Sequence, residues 1–308
     1  MNGLVLRSTG SWYDVRDDAD GHVYRARLKG KFKIKGLQTS NPLAVGDRVE
    51  MEVEDEAENT ALITAIVPRE NYIIRQSVHK TAQAHILAAN LDQAVLIATL
   101  DFPRTSLGFI DRFLVTAESF RIPTTVVFNK QDLLNEAFGE QQADIAAMYR
   151  KLGYGTLLTS VETGQGVTEF RELLAGKVSL LAGHSGVGKS SLVNAIAPDL
   201  DLRTSEVSTY ANKGVHTTTF AEMFEIAPGT FLIDTPGIKE LGLIDIEKEE
   251  LSHFFPEMRE RLNECRFHNC LHVAEPGCAV LAAVETGDIA PSRYLSYLSM
   301  LEGSDNRR

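Results

Sequence analysis

Four stretches of this chain have residue types and spacings that can do chemistry. The first is Gly183, His184, Ser185, Gly186, Val187, Gly188, Lys189 and Ser190, a G-x-x-x-x-G-K-S run followed by Ser191. Glycines let backbone N–H groups turn inward on phosphate oxygens, and a helix opening at the lysine adds positive potential. Lys189 would sit between β- and γ-phosphates, and the Ser190 hydroxyl would ligate Mg²⁺. The apolar run Val178–Ala182 and the helix-like stretch Ser190–Ile196 supply the strand and helix this motif requires. The second stretch, Phe231-Leu-Ile-Asp-Thr-Pro-Gly237, reads as a buried strand ending in Asp-x-x-Gly. Asp234 would hold the Mg²⁺ through water, and the Gly237 N–H would meet the γ-phosphate. Upstream, Thr218, ahead of Thr217, offers a hydroxyl to complete the Mg²⁺ shell; a threonine-rich β turn is the other reading.

The third stretch recognises a base. Thr124–Phe128 is a strand-like run that leads into Asn129, Lys130, Gln131 and Asp132. A buried carboxylate at Asp132 accepts from guanine N1 and N2; adenine lacks both donors and would leave it unpaired. Lys130 lays an aliphatic stem along the base, and Asn129 ties loops together. A second strand ends at Ser160 and Val161, where a backbone N–H can meet guanine O6; an N-capped helix start is the other reading. The fourth stretch is Cys265-x4-Cys270-x-His272-x5-Cys278, four soft or borderline ligands suited to one tetrahedral structural Zn²⁺. These are all three cysteines of the chain, and an odd count argues against a disulfide framework. His268 is an alternative ligand.

The elements that must position these groups fall into three domains. Residues 1–68 read as short strands with turns at Asp20-Gly21, Asn41-Pro42 and Gly46-Asp47, with an acidic loop from Glu50 to Glu58. Residues 69–244 alternate strands and helices, which predicts a mostly parallel sheet covered on both faces. Strands are expected at Gln93–Thr99, Thr124–Phe128, Thr156–Thr159, Val178–Ala182, Thr219–Ile226 and Phe231–Ile233. Helices are expected at Ile110–Phe120, Gln141–Leu152, Val167–Leu174 and Lys189–Ala197. Residues 245–308 read as a small helical piece stapled by the metal, with helices at about Lys248–Asn263 and Arg293–Leu301.

The chain has 308 residues, 44% hydrophobic and 24% charged, which excludes a disordered, collagen-like or small disulfide-framed protein. The net charge of −11 excludes a uniformly basic nucleic-acid binder but leaves room for a local patch. One such patch is legible. From Arg25 to Lys35 every odd position is basic: Arg25, Arg27, Lys29, Lys31, Lys33 and Lys35. On a strand they share one face, suited to RNA; a solvated or protected edge strand is the other reading. No apolar run approaches the ~18 residues of a membrane helix and no leader-like segment is visible, so a cytoplasmic protein without membrane contact is expected.

Taken together, the base motifs precede the phosphate motifs. In that order the chain resembles the circularly permuted GTPases of the ribosome small-subunit-dependent GTPase A family (RsgA, also called YjeQ), over nearly its whole length. The resemblance implies an N-terminal β-barrel of OB-fold type, a circularly permuted P-loop GTPase core and a C-terminal zinc domain. It implies binding to the 30S ribosomal subunit and its rRNA late in maturation, and GTP hydrolysis to GDP and phosphate stimulated by the subunit. The family's Cys-Cys-His-Cys pattern selects His272 over His268. Ile238 stands where Ras-like enzymes carry a water-orienting Gln, so His216 is the candidate for positioning the water; packing on the nucleotide or ribosome contact is the alternative. A metabolic P-loop kinase and a passive RNA binder are the competing classes. The first conflicts with Asp132 and the second with the intact Lys189, Ser190 and Asp234.

Overall fold

The computed structural model describes residues 1–30, 42–76, 84–198, 221–234 and 246–303. Among them, β8 (Gln93–Ala98), β9 (Thr124–Phe128), β10 (Gly155–Leu158), β11 (Val178–Ala182) and β13 (Thr230–Asp234) lie parallel in the order β10-β9-β8-β11-β13, and β12 (Glu222–Ala227) pairs antiparallel on β13. Every residue of β8 is buried, as a central parallel strand requires. On one face α1 (Leu107–Ser119) and α2 (Glu136–Lys151) pack Phe109, Phe113, Leu114 and Tyr149 against Leu96, Val126, Phe128 and Leu180. On the other face α3 (Val167–Leu174) and α4 (Lys189–Ile196) pack Phe170, Leu174 and Leu192 against Ile97, Val127 and Leu181. Period-2 alternation along each strand thus feeds two separate cores. Ser106 opens α1 by accepting from the Phe109 N–H at 3.2 Å, and Asn135 opens α2 by accepting from that of Phe138 at 3.0 Å.

The N-terminal part is a closed five-stranded barrel. β1 (Asn2–Ser8), β2 (Tyr13–Asp17), β3 (Val23–Leu28), β5 (Thr60–Ile66) and β4 (Arg48–Asp55) follow in that order, and β1–β4 pairing closes the ring. β3 and β5 run parallel; the other pairs of the ring are antiparallel. This is the strand order of an OB-fold. Val5, Val15, Met51 and Ile63 fill the interior. A hairpin of β6 (Tyr72–Gln76) and β7 (Ala84–Ala89), which the sequence patterns did not signal, docks on the barrel. There Asp47, fully buried, holds Arg69 in a bidentate ion pair at 2.6 and 2.7 Å, and the Asn90 amide donates to the Gly46 carbonyl at 2.9 Å.

The segment from Glu50 is not the expected acidic loop: through Asp55 it belongs to β4. The continuous basic strand is likewise corrected within the described residues. β3 stops at Leu28; Lys29 still donates its backbone N–H to the Ile63 carbonyl at 3.0 Å, and the chain then bends at Gly30, which sits at φ +80°. Lys31, Lys33 and Lys35 lie outside the described residues.

After residue 246 the expected helix Lys248–Asn263 is broken into a 3₁₀ turn Leu251–Phe254, a short α5 (Pro256–Arg259) and a second turn Leu262–Glu264. Pro256 cannot donate to the preceding turn, so it starts a new helix rather than continuing one. α6 (Ala279–Thr286) and α7 (Pro291–Leu301) complete the piece.

Its attachment to the α/β layer is ionic at the centre. Arg293 of α7, fully buried, donates to Asp111 of α1 at 2.7 Å and to both oxygens of Glu257 at 2.7 and 3.2 Å. Tyr149 of α2 donates to the same Asp111 oxygen at 2.7 Å, and the guanidinium lies 4.7 Å from the Phe255 ring centre. Burial disfavours the charged guanidinium, but the two carboxylates outweigh it and hold Arg293 protonated. Arg293→Ala leaves two buried carboxylates without their cation. Urea unfolding should show a loss of about 3–5 kcal/mol; a loss near zero would mean that the triad contributes nothing to the junction.

Candidate nucleotide site and metal centre

The carboxyl ends of β8, β9, β10 and β11 open on one edge of the sheet, where a doubly wound fold binds ligands. At the end of β11 the chain turns through residues 183–188 into α4. Gly183 (φ +143°) sits so close to β8 that a Cβ would approach the Ile97 carbonyl oxygen at 2.3 Å. Gly188 (φ +96°) is the cap before α4, and a Cβ there would meet the Asn129 side-chain nitrogen at 2.3 Å. Both positions therefore need glycine. Lys189 begins α4, and its ammonium donates to the Gly183 and His184 carbonyls at 2.8 and 2.9 Å. Ser190 and Ser191 follow in the first turn, Val187 is buried beneath it, and Ser185 and Gly186 are exposed at the loop tip.

The reversed order of motifs closes in space. The Asn129 amide, at the end of β9, donates to the Val187 carbonyl at 2.9 Å. The Thr159 hydroxyl, at the end of β10, donates to the Asn129 carbonyl oxygen at 2.9 Å. One buried asparagine thus fastens both base strands to the phosphate loop. Lys130 sits in the left-handed region at φ +66°, and its ammonium donates to the Phe102 carbonyl at 2.8 Å. Asp132 lies in a 3₁₀ turn at the mouth of the site and is exposed, not buried as expected; the fully buried Ser160 donates its hydroxyl to the carboxylate. A base laid over it would supply the desolvation. Val161 is exposed beside it. The Gln131 side chain turns back to donate to the Phe128 carbonyl at 3.1 Å, which braces the turn.

Thr159, Phe102 and Phe109 are site residues that the motifs did not reveal. The Phe109 ring of α1 lies 4.0 Å from that of His184 in the phosphate loop. Of the phosphate-sensing groups, the backbone of Asp234 ends β13, in register with Leu181 of β11. His216, Thr217, Thr218, Gly237 and Ile238 lie outside the described residues.

The second centre lies in the C-terminal piece. The ligand atoms of Cys265, Cys270, His272 and Cys278 are all within 4.8 Å of one another. His272 Nδ1 is 3.7 Å from the Cys265 sulfur and 3.3 Å from that of Cys278. Ligands around a tetrahedral Zn²⁺ are about 3.5–3.8 Å apart, so the donor set and its spacing fit a structural site. His268 is exposed and outside the cluster. Burial pushes the Cys270 thiol up to about 12 and raises Cys278, and burial lowers His272. A divalent cation among these sulfurs would reverse the first two shifts by holding thiolates.

The ligand loop is fixed from outside. Burial tends to raise the Glu275 carboxyl, but hydrogen bonds from the Leu271, Val273, Glu275 and Ala274 N–H groups win and hold it at about 2. Tyr294 and Tyr297 of α7 donate to the His272 and Leu271 carbonyls, each at 2.7 Å.

On the barrel, Arg25, Arg27 and Lys29 are exposed on one side of β3, as alternation requires. They do not form bare positive charge. Arg27 is held by Glu54, with one contact at 3.2 Å, and Lys29 by Glu52 at 3.5 Å, while the Arg25 guanidinium lies 4.6 Å from the Trp12 ring centre.

Known proteins share this arrangement. The family model described as RsgA GTPase matches residues 66–244, and the RsgA N-terminal domain model matches residues 2–61. The chain belongs to the RsgA GTPase family. As a member of that family it is a GTP-hydrolysing enzyme, a role that implies Mg²⁺ with the nucleotide. It is 52% identical over 308 residues to the small ribosomal subunit biogenesis GTPase RsgA of Cytophaga hutchinsonii, covering 100% of both chains. To the protein of that name from Bacteroides fragilis it is 49% identical over 305 residues, 99% of this chain and 97% of the other. Among solved structures it resembles YjeQ from Thermotoga maritima, with TM-score 0.80, 37% identity and coverage of 100% and 99%. It also resembles YloQ, a circularly permuted GTPase, with TM-score 0.74, 31% identity and coverage of 100% and 96%. RsgA-type permutation accounts for a sheet in which β8 to β10 precede the phosphate strand β11 in the chain yet lie to one side of it in the same sheet, with β8 its neighbour. Among the described residues no helix is long and apolar enough to cross a membrane.

Proposed function

We propose that this enzyme binds the 30S ribosomal subunit late in its maturation, in the cytoplasm, and that contact with the subunit stimulates its hydrolysis of GTP to GDP and phosphate. The observation that carries the guanine nucleotide reading is the Asn129–Val187 hydrogen bond, which joins the base-reading turn to the phosphate loop. In this reading residues 1–68 form an RNA-contacting OB-fold, 69–244 the GTPase and 245–308 a zinc-stapled helical domain. Asn129, Lys130, Asp132, Ser160 and Val161 hold guanine; the 183–191 loop, Asp234 and Gly237 hold phosphates. Ser190, Thr218 and, through water, Asp234 hold Mg²⁺, and His216 positions the attacking water. Cys265, Cys270, His272 and Cys278 hold one structural Zn²⁺. With Ile238 in place of a water-orienting glutamine, intrinsic turnover is slow.

The relatives support this reading, since both are small ribosomal subunit biogenesis GTPases. The test is phosphate release from GTP and ATP with and without purified 30S subunits. GTP turnover should be saturable and rise at least about tenfold with subunits, with ATP inert. ATP turnover would indicate a metabolic kinase or ATPase, and absence of any turnover a passive RNA binder; either overturns the proposal.

A further inference from the structure

Resting on the ribosomal reading above, we infer that the N-terminal barrel grips RNA by stacking one unpaired base on a guanidinium–indole platform built from Arg25 and Trp12. A tight turn sets the indole. The Thr9 N–H and hydroxyl both donate to the Trp12 carbonyl, at 2.9 and 3.0 Å, which places Trp12 at the head of β2. The next residue, Tyr13, pairs with Ala26, so Arg25 on β3 is brought alongside. Its guanidinium lies over the half-buried ring at 4.6 Å, while Arg25 itself is exposed. A guanidinium over an indole ring, on an arginine that is itself exposed, offers a planar cation and N–H donors to a ligand arriving from solvent. That shape fits a nucleobase above and a phosphate at the rim.

The neighbouring charges point the same way. Among the described residues of this basic run, Arg27 and Lys29 are already engaged by Glu54 and Glu52, which leaves them less free to grip a phosphate backbone by charge. Arg25 stands opposite Asp14 in the strand register, but among the described residues it forms no ion pair with it, and its guanidinium lies over the neutral Trp12 ring. Bases inside a duplex have both faces covered, so the occupant is an unpaired base.

Trp12 is the one tryptophan in the chain, so its fluorescence reports this platform directly. The full chain would be titrated with a single-stranded oligoadenylate and with a hairpin duplex RNA of the same length, while 30S binding is followed by co-sedimentation. The expected result is saturable quenching by the single strand and little by the duplex. Arg25→Lys, which keeps the charge but loses the plane, should weaken oligoadenylate binding on the order of tenfold. A Trp12→Phe chain, followed by anisotropy of labelled oligoadenylate, should also bind more weakly. Equal quenching by duplex, or native affinity in Arg25→Lys, overturns the inference. Co-sedimentation that survives without any oligoadenylate response overturns the platform and leaves the ribosomal function standing. Loss of co-sedimentation in Arg25→Lys without an oligoadenylate response assigns the platform to a ribosomal protein and overturns it too.

Discussion

A Lys189→Ala chain is expected to hydrolyse GTP about 10²–10³-fold more slowly than the native chain, with or without 30S subunits. The ammonium stands at the first residue of α4, where the open N–H groups of the helix already favour an anion. It is aimed across the loop by the Gly183 and His184 carbonyls at 2.8 and 2.9 Å. Charge spreads over the γ-phosphoryl oxygens in the transition state, and a fixed cation at this point stabilises it without solvent reorganisation. Alanine keeps helix propensity, so the fold should survive, and unchanged circular dichroism checks this. Single-turnover phosphate release separates the chemical step from binding. Native turnover in the variant would remove the loop from the catalytic site.

How much of this could be read from sequence depends on the range of the interaction. Thr124–Phe128 and Val178–Ala182 emerge with their boundaries because an uninterrupted apolar, β-branched run has one plausible fate in an α/β layer. The phosphate loop, the base turn and the cysteine cluster were legible because glycine, carboxylate and thiol chemistry tolerates few substitutes at those spacings. What escaped was set by groups far apart in the chain. Glu52 and Glu54 neutralise Lys29 and Arg27 only because β5 brings β4 near β3; in sequence they looked like a solubilising loop. Arg293 meets Asp111 across 182 positions, and no local pattern distinguishes it from a surface arginine. Asp132 was expected to be buried because its chemistry demands desolvation, yet the protein alone leaves it at the mouth of the site. The helix expected across Lys248–Asn263 failed locally, at Pro256, a breaker that opens a new short helix instead of continuing one.

The central claim is that a carboxylate read before the phosphate loop in the chain faces the same nucleotide in space. Ser160 orients Asp132, and Asn129 locks its turn to Val187. As a carboxylate, Asp132 accepts from both N1–H and the N2 amino group of guanine. Asparagine offers one acceptor and one donor, and its donor would oppose the guanine amino group. Xanthine carries a carbonyl there and would accept from it. Titration calorimetry of native and Asp132→Asn chains with GDP and xanthosine diphosphate tests this directly. The expected result is a reversal of preference, with the GDP to xanthosine diphosphate affinity ratio falling at least ~10³-fold. A variant that binds GDP as tightly as the native chain and still excludes xanthosine diphosphate would contradict the account.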